Sequence, residues 1–217
     1  MSAGLFGKLP AKRDFVAVNA PRRFLETWEP WLQSGVATSK QTDATGWAQS
    51  YNRAPIWRYW LGADLCGEPL IGAVMPSVDG VGRAFPLTIF APGDGDALAP
   101  PEIDDNGAWC DHAEALLLSA LDAGATLEAV TGAMADLPPP VLYDRAATSF
   151  GCRELSDGGI LVGTADGAAA PAAFLAARRF GHRRAFATQS FWWTIGGEGF
   201  PPCALSYIDG EIADLSK

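Results

Sequence analysis

Apolar residues along the chain recur with two spacings, one typical of β-strands and one typical of helices. Runs of strand length lie near both ends of the chain and in its middle. They are AGLFGKL (3–9), IWRYWLG (56–62), LIGAVM (70–75), FPLTIFA (85–91), AFATQSFWWTIG (185–196) and CALSYIDG (203–210). The pair Asp79–Gly80 separates the third run from the fourth, which predicts a hairpin. The last two runs predict a second antiparallel pair.

Helical spacing occurs mainly between these runs. The segments are PRRFLETWEPWL (21–32), TGWAQSYNR (45–53), AWCDHAEALLLSAL (108–121), residues 126–137 and PAAFLAARRFG (171–181). Pro30 is expected to kink or split the first helix, and Thr126 is expected to cap the fourth. Strands at both ends with helices between them predict one α/β domain over residues 1–217. Its helices would cover a mixed or mostly antiparallel sheet.

Composition narrows the class of protein. Of the 217 residues, 48% are apolar and eight are tryptophan, so the chain can bury a large core. The net charge is −9, with +4 in residues 1–60 and −13 in residues 61–217. An acidic protein repels phosphates and anionic lipid, so neither nucleic acid nor a membrane surface is an expected partner. No apolar run approaches the ~20 residues that span a bilayer, and the N-terminus is unlike a signal peptide.

The cysteine pattern indicates a reducing compartment. The four cysteines are far apart and form no CxxC pair, so we expect small buried thiols in the cytoplasm instead of a disulfide framework.

Few residues suggest a metal or a cofactor. The two histidines, His112 and His182, are far apart, and no HExxH motif or phosphate-binding loop is present. Asp111, His112 and Glu114 are close in sequence, but helical neighbours point in different directions, which favours a solvated helix face. The basic run RRFGHRR (178–184) is interpreted as a solvated helix end, with docking of an acidic protein as the alternative. We therefore expect no cofactor and no metal.

The segment PSVDGVGRAFPL (76–87) allows two interpretations. Its Ser77, Asp79 and Arg83 could assemble a catalytic site with a distant histidine. Serine, aspartate and glycine are also common turn residues, and Arg83 could brace the turn against Asp79. The absence of a GxSxG or SxxK motif favours a structural or recognition role.

The late strand SFWWT carries two adjacent tryptophans. Trp192 and Trp193 must point to opposite faces of the sheet. One indole therefore needs a cover besides the core, and a helix of the same domain is favoured over a partner protein.

Three stretches together resemble a known family. GLFGKLPAKRDFV, PSVDGVGRAFPLT and SFWWTIG occur in this order, and the chain resembles the TagF family of type VI secretion system-associated proteins from about residue 4 onward. Arg13 stands where the first family motif usually has glycine, so the local turn is expected to differ. On the family motifs fall Ser77, Asp79, Gly82, Arg83 and Pro86, and later Ser190, Trp192 and Trp193.

The resemblance implies a three-layer α/β fold and a regulatory function. It implies a post-translational repressor of type VI secretion that binds a forkhead-associated (FHA) domain scaffold protein, with no enzymatic activity. The candidate partner-binding residues are Ser77, Asp79, Gly82, Arg83, Ser190, Trp192 and Trp193. Two alternatives are a hydrolase or phosphatase-like enzyme that uses Ser77, Asp79 and Arg83, and a structural component of the secretion apparatus.

Overall fold

An antiparallel sheet with strands from both ends and from the middle of the chain dominates the fold. The computed structural model describes residues 2–93, 97–142, 151–163 and 170–208. Its strands are β1 (Gly4–Gly7), β2 (Val16–Val18), β3 (Trp57–Leu61), β4 (Leu70–Met75), β5 (Leu87–Pro92), β6 (Cys152–Glu154), β7 (Ile160–Val162), β8 (Ser190–Thr194) and β9 (Cys203–Tyr207). Seven of them form the main sheet in the order β2-β1-β5-β4-β3-β8-β9, with every pairing antiparallel, and β6 pairs with β7.

Some of the helices pack on the two faces of the main sheet, and the others flank it. They are α1 (Arg22–Thr42), α2 (Trp47–Arg53), α3 (Ala63–Cys66), α4 (Gly107–Ser119), α5 (Leu127–Ala135), α6 (Ala170–Phe180) and α7 (His182–Ala185). The helix α1 lies against one face, and α4 with α5 lies against the other. The predicted three-layer α/β fold with an antiparallel sheet is therefore confirmed.

The face under α1 is aromatic. Trp28 of α1 lies 4.5 Å from the ring of Tyr59 on β3 and 5.8 Å from Trp192 on β8. Phe24, one turn earlier, lies 4.3 Å from Phe90 on β5. A side chain at Gly72 on β4 would overlap the Tyr59 hydroxyl, so glycine makes room for this packing.

The opposite face is mainly aliphatic. Ile71, Ala73 and Ile89 of the sheet pack with Leu117 and Val130 of α4 and α5. The alternation of the strands separates the two cores, because successive side chains point to opposite faces.

The first helix is not split at Pro30, so one of the two expected effects of the proline is wrong. It continues through Pro30 to Thr42 without splitting. Proline removes one helical hydrogen bond, but Trp28 and Leu32 on either side of it are buried in the aromatic core, and this packing offsets the loss. The predicted cap of α5 is confirmed, since the Thr126 hydroxyl accepts a hydrogen bond from the Ala129 amide at 3.1 Å.

The cysteines are all unpaired, as expected, but not all are buried. Cys66 and Cys110 are buried, and burial raises the pKa of each thiol to about 12. Cys152 is half-buried, and Cys203 on the edge strand β9 is exposed, which corrects the prediction of four buried thiols.

Candidate functional site

The segment 76–86 is the turn of the β4–β5 hairpin, as predicted. The two strands pair up to Met75 and Leu87. Beyond them, the Phe85 amide donates to the Ser77 carbonyl at 3.0 Å and the Asp79 amide donates to the Arg83 carbonyl at 3.1 Å. Gly82 has φ +83°, a left-handed conformation that favours glycine. The backbone alone therefore closes the loop tightly.

The Asp79 carboxylate lies at the centre of this loop and is buried. Its Oδ1 accepts hydrogen bonds from the Arg83 amide at 2.8 Å and the Val81 amide at 3.1 Å. Its Oδ2 lies 2.6 Å from Nε of Arg83 and 3.0 Å from Nζ of Lys8. Burial alone would raise the pKa of the Asp79 carboxyl, but the bonds from Arg83, Lys8 and Val81 outweigh it and hold that pKa well below its usual value.

Ser77 is also buried and bonded internally. Its hydroxyl donates to the Lys8 carbonyl at 2.8 Å. Its amide donates to the Tyr51 hydroxyl, which in turn donates to the Ser77 carbonyl, both at 3.1 Å. Burial raises the pKa of this Tyr51 hydroxyl far above its ordinary value, so it stays protonated and can donate. Ser77 thus joins the loop to α2 and to the residue that follows β1.

The N-terminal segment is held against the loop. The Gly80 amide donates to the Lys12 carbonyl at 2.7 Å, and Nη2 of Arg83 donates to the Arg13 carbonyl at 2.5 Å. The backbone at Arg13 does not adopt a positive φ. Arginine at this position is therefore compatible with the turn, and its carbonyl still receives the loop.

The catalytic alternative required Ser77, Asp79, Arg83 and a histidine to converge on one site. The structure brings Asp79 and Arg83 together, whereas the Ser77 hydroxyl bonds the Lys8 carbonyl. The histidines make contacts elsewhere. His112 Nδ1 lies 2.6 Å from the Ala108 carbonyl on the exposed side of α4, and His182 Nδ1 lies 3.0 Å from the Arg179 carbonyl. The arrangement suits a braced turn better than a nucleophile activated by a base.

The late strand places its motif residues in the core. Trp192 is fully buried under α1, where it packs against Trp28 and Trp31, and its indole donates to the Ser190 hydroxyl at 3.1 Å. Trp193 is half-buried on the opposite face, against the aliphatic core. The prediction that a helix of the same domain covers an indole is confirmed for Trp192.

Sequence reasoning missed a second charged network. Arg58 on β3 is buried between two acidic residues of α4, with Nε 2.6 Å from Glu114 and Nη2 2.6 Å from Asp111. Burial would lower the pKa of Arg58, but these carboxylates outweigh it and keep the guanidinium charged. Glu114 is buried, so the predicted solvated face is wrong for this residue, whereas Asp111 and His112 are exposed as expected. An arginine amid the large apolar residues of IWRYWLG was the available signal.

The surface of the described residues contains a groove and a cleft. A groove of about 350 Å³ beside the loop is lined by Trp31, Trp57, Pro76 and Pro86. A cleft of about 970 Å³ lies between α3 and the helices α6 and α7. Within the described residues no group of histidine, cysteine, aspartate and glutamate side chains is arranged to hold a metal ion. None of the helices described here has the length and apolar character needed to cross a bilayer.

The family is identified by a match to the N-terminal part of the chain. The model of the TagF N-terminal domain, type VI secretion system-associated, matches residues 4–137. The chain belongs to the TagF family. It is also similar to the crystal structure of PA0076 from Pseudomonas aeruginosa PAO1, with 31% identity, a TM-score of 0.77, and coverage of 98% of this chain and 96% of that one. No curated protein matches the chain.

The TagF match includes the N-terminal segment and the loop but ends before the late strand. Ser77, Asp79, Gly82 and Arg83 lie within residues 4–137, and β8 and β9 lie beyond them. Because β8 pairs with β3, the sheet nevertheless runs through this boundary without a break. Membership of the TagF family links the protein to type VI secretion.

Proposed function

We propose that this TagF-family protein is a post-translational repressor of type VI secretion, which acts in the cytoplasm by binding an FHA-domain scaffold protein. The observation that carries the proposal is the match of residues 4–137 to the TagF N-terminal domain. Repression, the scaffold partner and the compartment extend beyond that match and are the substance of the proposal.

The geometry of the loop supports binding over catalysis. Ser77 and Asp79 are buried and bonded to backbone and to Lys8, so neither is presented to a substrate. Arg83, in contrast, is braced from one side and exposed on the other. A buried network that fixes an exposed side chain is typical of a preorganised binding surface.

Sequestration acts by mass action. A repressor of this kind removes one scaffold molecule for each complex formed, so its effect depends on its amount relative to the scaffold and on their affinity. It needs no turnover, and overproduction should deepen repression.

The first experiment deletes the gene in the native cell and follows export of the tube protein of the apparatus. We expect export to rise on deletion and to fall on overproduction. Loss of export on deletion would instead indicate a structural component, and unchanged export with an intact apparatus would contradict repression.

The second experiment measures binding of the purified protein to the purified scaffold by calorimetry. We expect a stoichiometric complex. The gene deletion and the binding measurement are independent, so repression without scaffold binding would reject the partner but keep the regulatory function.

A further inference from the structure

Two loops meet next to the hairpin and form one continuous surface. The Gly80 amide bonds the Lys12 carbonyl and the Arg83 guanidinium bonds the Arg13 carbonyl, so residues 11–15 are fixed to residues 80–83. We call this the basic loop surface and define it by the side chains of Lys12, Arg13, Phe15, Val81 and Arg83. Because backbone bonds and a buried carboxylate hold it, little conformational entropy remains to be lost on binding.

The basic loop surface contains two exposed apolar side chains. Val81 at the tip of the loop is 56% exposed, and Phe15 is 47% exposed. Phe15 is still held in place, because its ring packs edge-on against buried Phe85 at 4.8 Å. Aromatic side chains and arginine are both enriched at protein–protein interfaces.

Positive charge at this surface is only partly compensated. The single charge of Asp79 is shared between buried Lys8 and Arg83, whose side chain is 61% exposed. The other charged groups nearby are Lys12, Arg13, Asp14 and Glu128 of α5, which lies 3.8 Å from Lys12. Three exposed cations thus face two exposed carboxylates, in a chain whose net charge is −9. The surface is locally positive where most of the protein is negative.

We propose that the basic loop surface binds an acidic protein surface, one that presents carboxylates to Arg83 and Arg13 beside an apolar side chain that covers Phe15 and Val81. The identity of this partner as the FHA scaffold rests on the proposed function; the chemistry of the surface does not. Complementary charge gives the contact its orientation and association rate, and the apolar pair gives it buried area.

The proposal narrows the candidate residues. Ser77, Asp79, Ser190 and Trp192 are buried and support the fold, so they do not touch the partner. Of the original candidates, Gly82 and Arg83 lie at the surface. The proposal adds Arg13, Phe15 and Val81 as residues that contact the partner.

The test is the double variant Arg13→Glu with Val81→Asp. Both side chains are exposed, and neither contributes to the hydrogen bonds that hold the loop. The matched control is Arg22→Glu with Leu118→Asp, which makes the same change in charge and replaces an apolar residue by aspartate at exposed positions on α1 and α4. Equal thermal unfolding midpoints for the two variants would establish that both are folded.

Binding of each protein to the purified scaffold is then measured by calorimetry. We expect the loop variant to bind about tenfold or more weakly than wild type, and the control to bind like wild type. Added salt should weaken the wild-type complex more than the variant complex. Equal binding by wild type and the loop variant would show that the basic loop surface does not contact the scaffold, and it would leave the repressor proposal intact.

A second probe decides the case in which wild type does not bind the scaffold. It is a synthetic peptide of alternating glutamate and phenylalanine, with a lysine–phenylalanine peptide as its control. We expect the acidic peptide alone to bind wild type and to lose that binding with the loop variant. No binding, or equal binding by both proteins, would overturn the inference independently of the scaffold.

Discussion

The hairpin loop and the late strand both stand out in the sequence, but their residues have different physical functions. In the loop, a buried carboxylate organises backbone amides and two cations, and it leaves Arg83 exposed. In the strand, Trp192 fills a space between the sheet and α1, and only Trp193 on the other face is half-exposed.

The two regions therefore need their characteristic residues for different physical reasons. The strand needs volume and shape, because the interior is close-packed. The loop needs a specific hydrogen-bond acceptor, because Asp79 Oδ1 is the partner of both the Val81 and the Arg83 amide. The changes below test this distinction by substituting one residue of each kind, and they are arranged by the size of the expected effect.

Replacement of Trp192 by alanine should have the largest effect. It removes an indole in contact with Trp28, Trp31 and Tyr59 and leaves a cavity under α1. We expect the free energy of unfolding to fall by about 3–5 kcal/mol, which is typical of a buried tryptophan. Urea denaturation followed by fluorescence measures the change.

Trp193→Ala is the matched control, since it removes the same side chain one residue later. Trp193 is only half-buried, so the loss should be clearly smaller. Equal losses at the two positions would show that the two faces of β8 are not distinguished by packing.

Asp79→Asn should have the next largest effect on stability. The change keeps the shape of the side chain but leaves the Lys8 ammonium, 10% exposed, without its counter-charge. It also turns an amide NH₂ group or a weaker acceptor toward the Val81 and Arg83 donors. We expect a lower denaturation midpoint with an unchanged fold by circular dichroism. Asp14→Asn, an exposed carboxylate nearby, is the control and should be close to neutral.

The difference in stability between wild type and Asp79→Asn should also depend on pH. The folded pKa of Asp79 lies below its unfolded value, so its contribution to stability is complete above the unfolded pKa of about 3.9. It declines as the pH falls from there toward the folded pKa. The stability gap between wild type and Asp79→Asn should therefore be constant near neutral pH and shrink in acid. Urea midpoints across this range measure it, and a gap that widens in acid would contradict the assignment.

The sequence could predict much of this architecture because its local signals agree. The hairpin, the pair β8–β9, the cap at Thr126 and the contact between Arg83 and Asp79 each depend on residues close in sequence. Local turn chemistry and alternation are sufficient for such features.

The remaining features depend on pairings that are distant in sequence. Lys8 reaches Asp79 because β1 pairs with β5, and no spacing in the sequence predicts that strand order. Arg58 meets Glu114 for a similar reason, since α4 must first dock on the sheet. The exposure of Phe15 and Val81 likewise follows from how two separate loops join.

Gly82→Ala should have a smaller effect that comes from the backbone alone. Gly82 has φ +83°, and a methyl group there would meet no atom within 4 Å. The cost is therefore that of placing a side chain in a left-handed conformation, about 1–2 kcal/mol. Gly35→Ala is the control, because that glycine lies inside α1 with equally open space and should gain up to about 1 kcal/mol. A loss at both positions would indicate crowding that the structure does not contain.

Arg83→Ala should change stability least of all. Its pair with Asp79 is largely solvent-exposed on the arginine side, and its hydrogen bond to the Arg13 carbonyl is exposed as well. Exposed pairs contribute less than about 1 kcal/mol. Asp79 would also keep Lys8 and its two backbone amides. A midpoint close to wild type, together with weakened binding to the acidic peptide, would separate recognition from folding within one motif. A loss as large as that of Trp192→Ala would instead make Arg83 structural and remove the contrast between the loop and the late strand.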